Sequence, residues 1–238
     1  MTPEEDFVGE VFLKCNAKEV IETCAKTIRG MAQTAYGDDA AIPEVILEGD
    51  LDTTFPYIPS HLEYIIGELL RNSIQASSGK TDPAPIRILI CEAAQHVIIR
   101  VSDQGGGVDR DILPYLWSFS KGPRRHKRLR NLERVPKLAA TLQELRLDED
   151  HNEDTTKNSK PQANHKGKND GSLSSFTSRH PNLRLGIGLP MSRIYAEYWA
   201  GTLELHSLEG YGVDAFLQIS KLGNKNEVLS TRASMDAV

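Results

Sequence analysis

The chain is predicted to adopt an α+β fold. Three observations predict it. Apolar residues recur at helical spacing in segments that open with capping signals. Two pairs of short runs rich in Ile, Val and Leu read as strands. The pairs stand on either side of a long polar stretch, residues 124–182, that has neither pattern.

The first helix is expected over residues 17–36. Val20, Ile21, Cys24, Ile28, Met31 and Ala35 share helical spacing there, Asn16 and Glu19 form a capping box, and Gly37 is a stop. Phe55-Pro56-Tyr57-Ile58-Pro59 reads as an extended, turn-like approach to the next element. Ser60 and Glu63 supply a second capping box for a helix at about 61–77, with Leu62, Ile65, Ile66, Leu69, Leu70 and Ile74 on one face. Strands follow at 86–90 and 97–101, and then Asp103-Gln104-Gly105-Gly106-Gly107. A third helix, about 190–200, ends at Gly201. Strands at 202–207 and 213–220 close the fold through a turn at Glu209-Gly210-Tyr211-Gly212.

The composition narrows the class. The 238 residues carry a formal charge of −5, which gives no reason to expect nucleic acid or a membrane surface as partner. Three scattered cysteines, Cys15, Cys24 and Cys91, make neither a disulfide framework nor a zinc site, and they fit a reducing compartment. No apolar run is long enough for a transmembrane helix. The acidic start, Met1 to Asp6, is neither a signal nor a transit peptide. The expected organisation is one domain over 7–222, a polar insert at 124–182 within it, and a tail at 223–238. The insert is basic from Arg124 to Lys137, acidic from Asp148 to Asp154, and then rich in Ser, Asn, Lys and Gly. It is expected to be a mobile loop with at most one short helix near 134–146. Its basic part is either a solvated charge run or a phosphate or partner patch.

Three stretches could carry chemistry. Glu68 and Asn72 lie four apart on the second helix and share a face, with Gln75 near it one turn later. A carboxylate beside a carboxamide suits a hydrated Mg²⁺, which takes one or two protein oxygens. The alternative is a solvent-facing polar stripe. Asp103 ends a strand and precedes three glycines. Its carboxylate can accept from a purine amino group, and the glycines let a ligand come close; a flexible hairpin tip is the other reading. Gly186-Ile187-Gly188-Leu189-Pro190 opens a helix, with Pro at its first position, and the free N–H groups there suit phosphate. It matches neither the dinucleotide fingerprint nor a Walker A loop.

The order of these three stretches resembles the GHKL ATP-binding fold shared by histidine kinases, the Hsp90 chaperones, DNA gyrase B and MutL. The resemblance implies a two-layer α/β sandwich, a mixed sheet with helices on one face, and makes the insert the ATP lid. Within that fold, 61–73, the Asp103 glycine loop, Gly188 to Tyr198 and Leu205 to Ala215 resemble the mitochondrial pyruvate dehydrogenase and branched-chain α-ketoacid dehydrogenase kinases. The similarity covers about 7–123 and 183–221. Ser120-Lys121-Gly122-Pro123 leans it to the pyruvate side, and the long lid looks like a divergent fungal type.

The resemblance assigns roles. Glu68 is the general base that takes the proton of a substrate serine. Asn72 holds Mg²⁺ between the phosphates. Asp103 accepts from the adenine amino group, and Gly105 and Gly107 let the loop pack beside the base. Ser120 and Lys121 stand at the start of the lid. Gly186, Ile187, Gly188 and Leu189 offer backbone N–H groups to the phosphates. Arg71, Gln75 and Arg184 complete the expected nucleotide contacts. The implied partners are the E1 component as serine substrate and the lipoyl-bearing E2 core. A homodimer and the mitochondrial matrix are implied as well, although no presequence is visible; neither nucleic acid nor membrane insertion is expected.

Departures from the family pattern bear on these roles. Arg184 stands where a glycine is usual, and cannot take positive φ cheaply. Val213 replaces a threonine, at a cost of about 1 kcal/mol if one hydrogen bond is lost. Tyr64 replaces a histidine in some relatives, and Gln75 an arginine. Only about ten residues precede the match, where the family carries a four-helix bundle. The expectation is a C-terminal domain, a truncated sequence or a short variant. A protein serine kinase and an ATP-binding module without phosphotransferase activity therefore both stay open. A bacterial-type histidine kinase core is disfavoured, since no phosphoacceptor helix precedes the domain and His61 reads as a first-turn helix residue.

Overall fold

The computed structural model describes residues 7–8, 10–37, 39–119, 121–132 and 184–221. The elements are β1 (Phe7–Val8), β2 (Val11–Asn16), α1 (Ala17–Tyr36), β3 (Val45–Gly49), β4 (Thr54–Tyr57), α2 (Pro59–Ser77), β5 (Ile86–Glu92) and β6 (His96–Asp103). After them come a 3-10 turn at Leu113–Tyr115, α3 (Arg125–Leu132), α4 (Gly188–Tyr198), β7 (Thr202–Leu208) and β8 (Gly212–Ser220).

The main sheet has five strands in the order β3-β5-β6-β8-β7. β3 runs parallel to β5 and every other pair is antiparallel, so the sheet is mixed. The cause is visible in β6, where burial alternates residue by residue: Val97, Ile99, Val101 and Asp103 are buried. The register sets Ile99 opposite Ile90 and Leu217, and Val101 opposite Ile88 and Ala215. All of these are buried, and together they form one apolar face. Helices α1, α2 and α4 supply its cover, with Ile21, Ile28, Leu62, Ile65, Ile66, Leu70, Ile74 and Ala196 in the shared core. Burying each large side chain of this kind contributes about 1.5–3 kcal/mol. A smaller antiparallel sheet, β1-β2-β4, flanks the helices.

The three expected helices and both expected strand pairs are present, with boundaries shifted by a few residues. Asn16 caps α1 by accepting from the Glu19 N–H at 3.3 Å, and Gly37 ends it at φ +95°. The second capping box is corrected. α2 begins at Pro59 and its N-cap residue, Ile58, has no side-chain bond, so Ser60 already lies in the first turn. Proline at the first helical position has a preset φ and no N–H to satisfy, so the helix starts there. α4 likewise starts two residues before Pro190, at Gly188. Residues 55–59 are partly a strand: β4 is an edge strand of the small sheet, which is where Pro56 can sit without breaking a ladder.

The largest correction concerns the insert. Residues 125–132 form α3, and its Asn131 is buried. This part is structure and not a mobile loop. The short helix expected near 134–146, the acidic run, the remainder of the insert and the tail all lie outside the described residues.

A Cβ added at Gly212 would stand 1.9 Å from the Asp103 carbonyl oxygen, a backbone atom with no freedom to retreat. Gly212→Ala is expected to cost about 1–3 kcal/mol through overpacking, read as a lower thermal midpoint. An unchanged midpoint would contradict the close β6–β8 approach at this end.

Candidate functional site

The site is built on α2, because this helix is buried on nearly every side. Its apolar residues face the sheet and α1. A polar row, Glu68, Arg71, Asn72 and Gln75, recurs at helical spacing and lines a cavity of about 820 Å³. That volume is within the usual range for a small-molecule site. The cavity is closed below by α2 and the sheet, at one end by the glycine loop after β6, and on top by α3 and residues 184–190.

Asp103 sits at the glycine-loop end. Its Oδ2 accepts from Ser73 Oγ and its Oδ1 from the Gly105 N–H, each at 2.8 Å. Burial pushes this carboxyl above the ordinary aspartate value of 3.8. The N–H of Gly105, the hydroxyl of Ser73, the N–H of Val213 and the charge of Lys80 pull the other way. Apolar side chains surround it: Val101, Val108, Ile112, Leu205, Val213 and Ala215 line the same cavity. One buried acceptor in an apolar slot is what a flat heteroaromatic ring with a donor at its edge would need. The loop here is not a flexible tip. The Gly106 N–H bonds to the Tyr211 carbonyl at 3.0 Å, and the Gly210 N–H to the Gly106 carbonyl at 2.8 Å. Gly107 holds φ +78°, and a Cβ on it would stand 2.4 Å from the Leu208 carbonyl oxygen. Glycine is the residue that meets both conditions.

Glu68 lies deeper along the helix and is buried. Its Oε1 is 3.6 Å from Arg71 Nε, one turn on, and both side chains are almost fully enclosed. A Cβ at Gly188 would stand 2.0 Å from Glu68 Oε2, so the carboxylate touches the first residue of α4 directly. The N–H groups of Gly188 and Leu189 are not used by their own helix, and they carry the positive end of its dipole. Asn72 is exposed to the cavity, four residues from Glu68. The arrangement sets a carboxylate, a carboxamide and a helix N-terminus side by side, which is a set able to take a proton, bind a divalent ion and bind an anion.

The cavity brings together eleven of the residues expected from the sequence: Glu68, Arg71, Asn72, Gln75, Asp103, Gly105, Gly107, Arg184, Gly186, Gly188 and Leu189. Two others are not on its lining. Lys121, which is exposed, lines a second, smaller cavity with Tyr115, Phe119 and Gly122. Ile187 is the N-cap residue of α4, between the lining residues Gly186 and Gly188. Ser120 lies outside the described residues. Arg184 takes no positive φ; Gly186 does, at +71°. The Arg184 Nε donates to Gln75 Oε1 at 3.1 Å, and its carbonyl accepts from Asn131 Nδ2 at 2.9 Å.

Sequence reasoning missed Ser73 as a partner of Asp103. It also missed the lining residues Ile112, Tyr115 and Leu116, and the inner face of α3 with Lys127, Arg128 and Asn131. The signal for the last group was present. Arg124, Lys127, Arg128 and Asn131 have i, i+3, i+4, i+7 spacing, which puts them on one helical face.

Comparison with known proteins bears directly on this site. The family model described as "Histidine kinase-, DNA gyrase B-, and HSP90-like ATPase" matches residues 57–222. The chain is 32% identical, over 91% of its length, to mitochondrial [pyruvate dehydrogenase (acetyl-transferring)] kinase 2 of Saccharomyces cerevisiae, and covers 49% of that protein. It is 32% identical to the corresponding Arabidopsis thaliana kinase, over 93% of this chain and 50% of the relative. It is 27% identical to that of Schizosaccharomyces pombe, over 95% and 45%. The chain thus spans about half the length of the curated relatives it matches.

Burial of Asp103 has a measurable consequence. Its folded pKa is raised, so the native state holds the proton more tightly than the unfolded chain does. Stability should therefore fall as pH rises from about 3.8 through the raised value. Asp103→Asn removes this titration. Thermal midpoints across acid pH are expected to show the unmodified chain losing ground to the variant as pH increases through that window. Parallel curves would mean that Asp103 titrates as an exposed aspartate.

Proposed function

The chain belongs to the histidine kinase-, DNA gyrase B- and HSP90-like ATPase family, and on that premise we propose that it is an ATP-dependent protein serine kinase of the pyruvate dehydrogenase kinase type. Its substrate is a serine of the E1 component of a mitochondrial α-ketoacid dehydrogenase complex, which phosphorylation inactivates. The lipoyl-bearing E2 core as partner, a homodimeric state and the mitochondrial matrix as compartment belong to the same reading, as does a single kinase domain over 7–222.

One observation carries the proposal. A single cavity has a buried acceptor, Asp103, in an apolar slot at one end, and Glu68, Asn72 and the α4 N-terminus farther along α2. Adenine fits the first set and phosphates fit the second. The residues also fit magnesium. Asn72 offers a carboxamide oxygen facing open space, and among the described residues no group of three His, Cys, Asp or Glu side chains forms a closed metal cage. Mg²⁺ commonly takes one or two protein oxygens and completes its shell with phosphate and water. When bound, it supplies neutralisation of phosphate charge.

The chain's own residues supply the rest. Asp103 orients the base by accepting its amino hydrogen. Gly188 and Leu189 direct N–H groups at the phosphates, and the absence of a side chain on Gly188 lets Glu68 reach them. The Glu68 carboxylate draws the proton from the serine hydroxyl as that oxygen attacks phosphorus. Arg71 balances the carboxylate's charge in a place where water is largely excluded. Phosphoryl transfer asks for positioning and charge neutralisation above all.

Glu68→Gln keeps the shape of the side chain and removes the base. It is expected to retain ATP binding and to lower phosphate transfer to an E1 serine by about 10²–10⁴-fold. Labelled-phosphate incorporation, measured beside nucleotide titration, reads both. Binding without transfer by the unmodified chain would instead identify an ATP-binding module that lacks phosphotransferase activity.

A second expectation concerns recognition of the base. Replacing Asp103 by Asn exchanges one acceptor oxygen for a donor. Loss of a hydrogen bond to a charged group costs about 1.5–3 kcal/mol, so ATP affinity should drop by about 10- to 100-fold in a calorimetric titration. Undiminished affinity would put the base somewhere else.

A further inference from the structure

Ser73 follows Asn72 on α2, about 100° farther round the helix. Asn72 is exposed to the cavity, whereas Ser73 turns inward toward the sheet. Its Oγ donates to Asp103 Oδ2 at 2.8 Å, and the two residues are only 4% and 9% exposed, so water has little access to the bond. The backbone on both sides holds this approach. A Cβ on Gly105 would stand 2.3 Å from the Cβ of Ala76, so α2 rests directly on the glycine loop. On the other side Gly212 of β8 closes against the Asp103 carbonyl oxygen, where a Cβ would be 1.9 Å away.

Every polar group around this carboxylate favours its ionised form. α2 presents the Ser73 hydroxyl, the glycine loop the Gly105 N–H at 2.8 Å, β8 the N–H of Val213, and the turn after α2 the charge of Lys80. Burial acts in the opposite sense and is the larger influence. An ionised carboxylate has about four acceptor positions and nothing to donate. Three hydrogen bonds leave one position open toward the cavity, among Val101, Val108, Leu205 and Val213. A purine with a 6-amino group brings the missing donor to that position. A 6-oxo purine brings a lone pair, which an acceptor repels. Protonation would reverse the choice, because a carboxylic acid donates. The base that fits therefore depends on Asp103 staying ionised, and Ser73 gives the side-chain hydrogen bond that favours this.

We propose that Ser73 is a positioning residue for base selection: its hydroxyl holds Asp103 as a pure hydrogen-bond acceptor, so that the cavity takes a 6-amino purine nucleotide and refuses a 6-oxo one. The proposal rests on the reading of this cavity as a nucleotide site, and Ser73 acts in it through Asp103. The direction of the effect follows from the balance around the carboxylate. Without the hydroxyl, burial is opposed by one group fewer, and Asp103 takes its proton at a higher pH. The protonated form loses an acceptor for the amino group and gains a donor for an oxo group.

The test is a calorimetric titration with ATP and with inosine triphosphate, whose base carries a 6-oxo group. It is run from about pH 5 to about pH 8 on the unmodified chain and on Ser73→Ala. Alanine is the strongest helix former, so α2 is expected to persist in the variant. At the upper pH the unmodified chain should prefer ATP by about 10²-fold or more, since a site built around one hydrogen bond rejects the analogue that cannot make it. Ser73→Ala should narrow that preference by about 10-fold. As pH falls, ATP affinity should decline and inosine triphosphate affinity rise, and in Ser73→Ala both changes should begin at a higher pH. A merely structural role for Ser73 would weaken the two nucleotides alike at every pH. That result, or pH profiles that coincide in the two chains, overturns the role of Ser73 while the nucleotide reading stands. An unmodified chain that binds neither nucleotide overturns the nucleotide reading and the role of Ser73 with it.

Discussion

Glu68 and Gly188 touch across the seam between α2 and α4, and the whole site depends on that contact. A carboxylate enclosed by protein needs a counter-charge and a reason to be there. Arg71, one turn along the same helix, supplies the first. The start of α4 supplies the second, because it presents backbone and no side chain where the carboxylate arrives. A side chain at 188 would displace the Glu68 carboxylate from its place against the start of α4. The packing of two helices on a sheet and the position of the buried Glu68 carboxylate are thus one constraint.

The opposite end of the cavity is governed by the sheet. β6 pairs with β8 up to Asp103 and Val213, and the glycine loop is then tied to the β7–β8 turn by backbone hydrogen bonds. Asp103 is therefore held by main-chain geometry, and Ser73 of α2 fixes its remaining oxygen. The two ends share α2, which carries Ser73 toward the sheet and Glu68 toward α4. This shared helix sets the distance between the Asp103 end and the Glu68 end of the cavity.

Much of this was legible from residue order. The spacing of Glu68 and Asn72, the strand ending in Asp103 and the glycines around 186–188 are local patterns, and local patterns survive reading one residue at a time. Two of the edge strands, β3 and β4, were not legible. β3 is a short outer strand, and β4 holds a proline, so neither has the alternation that marks a half-buried strand. α3 was missed for a different reason. Its residues Arg125–Leu132 are almost all polar, and its stability comes from contacts distant in sequence, such as Asn131 with the Arg184 carbonyl and Arg128 over Gly186. Helix propensity and apolar periodicity carry no trace of such contacts. The Ser60 capping box shows the reverse failure, since a valid local signal lost to Pro59 one residue earlier.

The central claim is that one cavity grips a nucleotide with its base at Asp103 and its phosphates between Asn72 and Gly188. A crystal structure with a non-hydrolysable ATP analogue and Mn²⁺ in place of Mg²⁺ tests it most directly, because the manganese position is visible by anomalous scattering. The account predicts the adenine amino group within hydrogen-bonding distance of an Asp103 carboxylate oxygen. It also predicts the metal at about 2.0–2.2 Å from Asn72 Oδ1. A metal peak away from Asn72, or a base outside the slot formed by Asp103 and Val213, would contradict it.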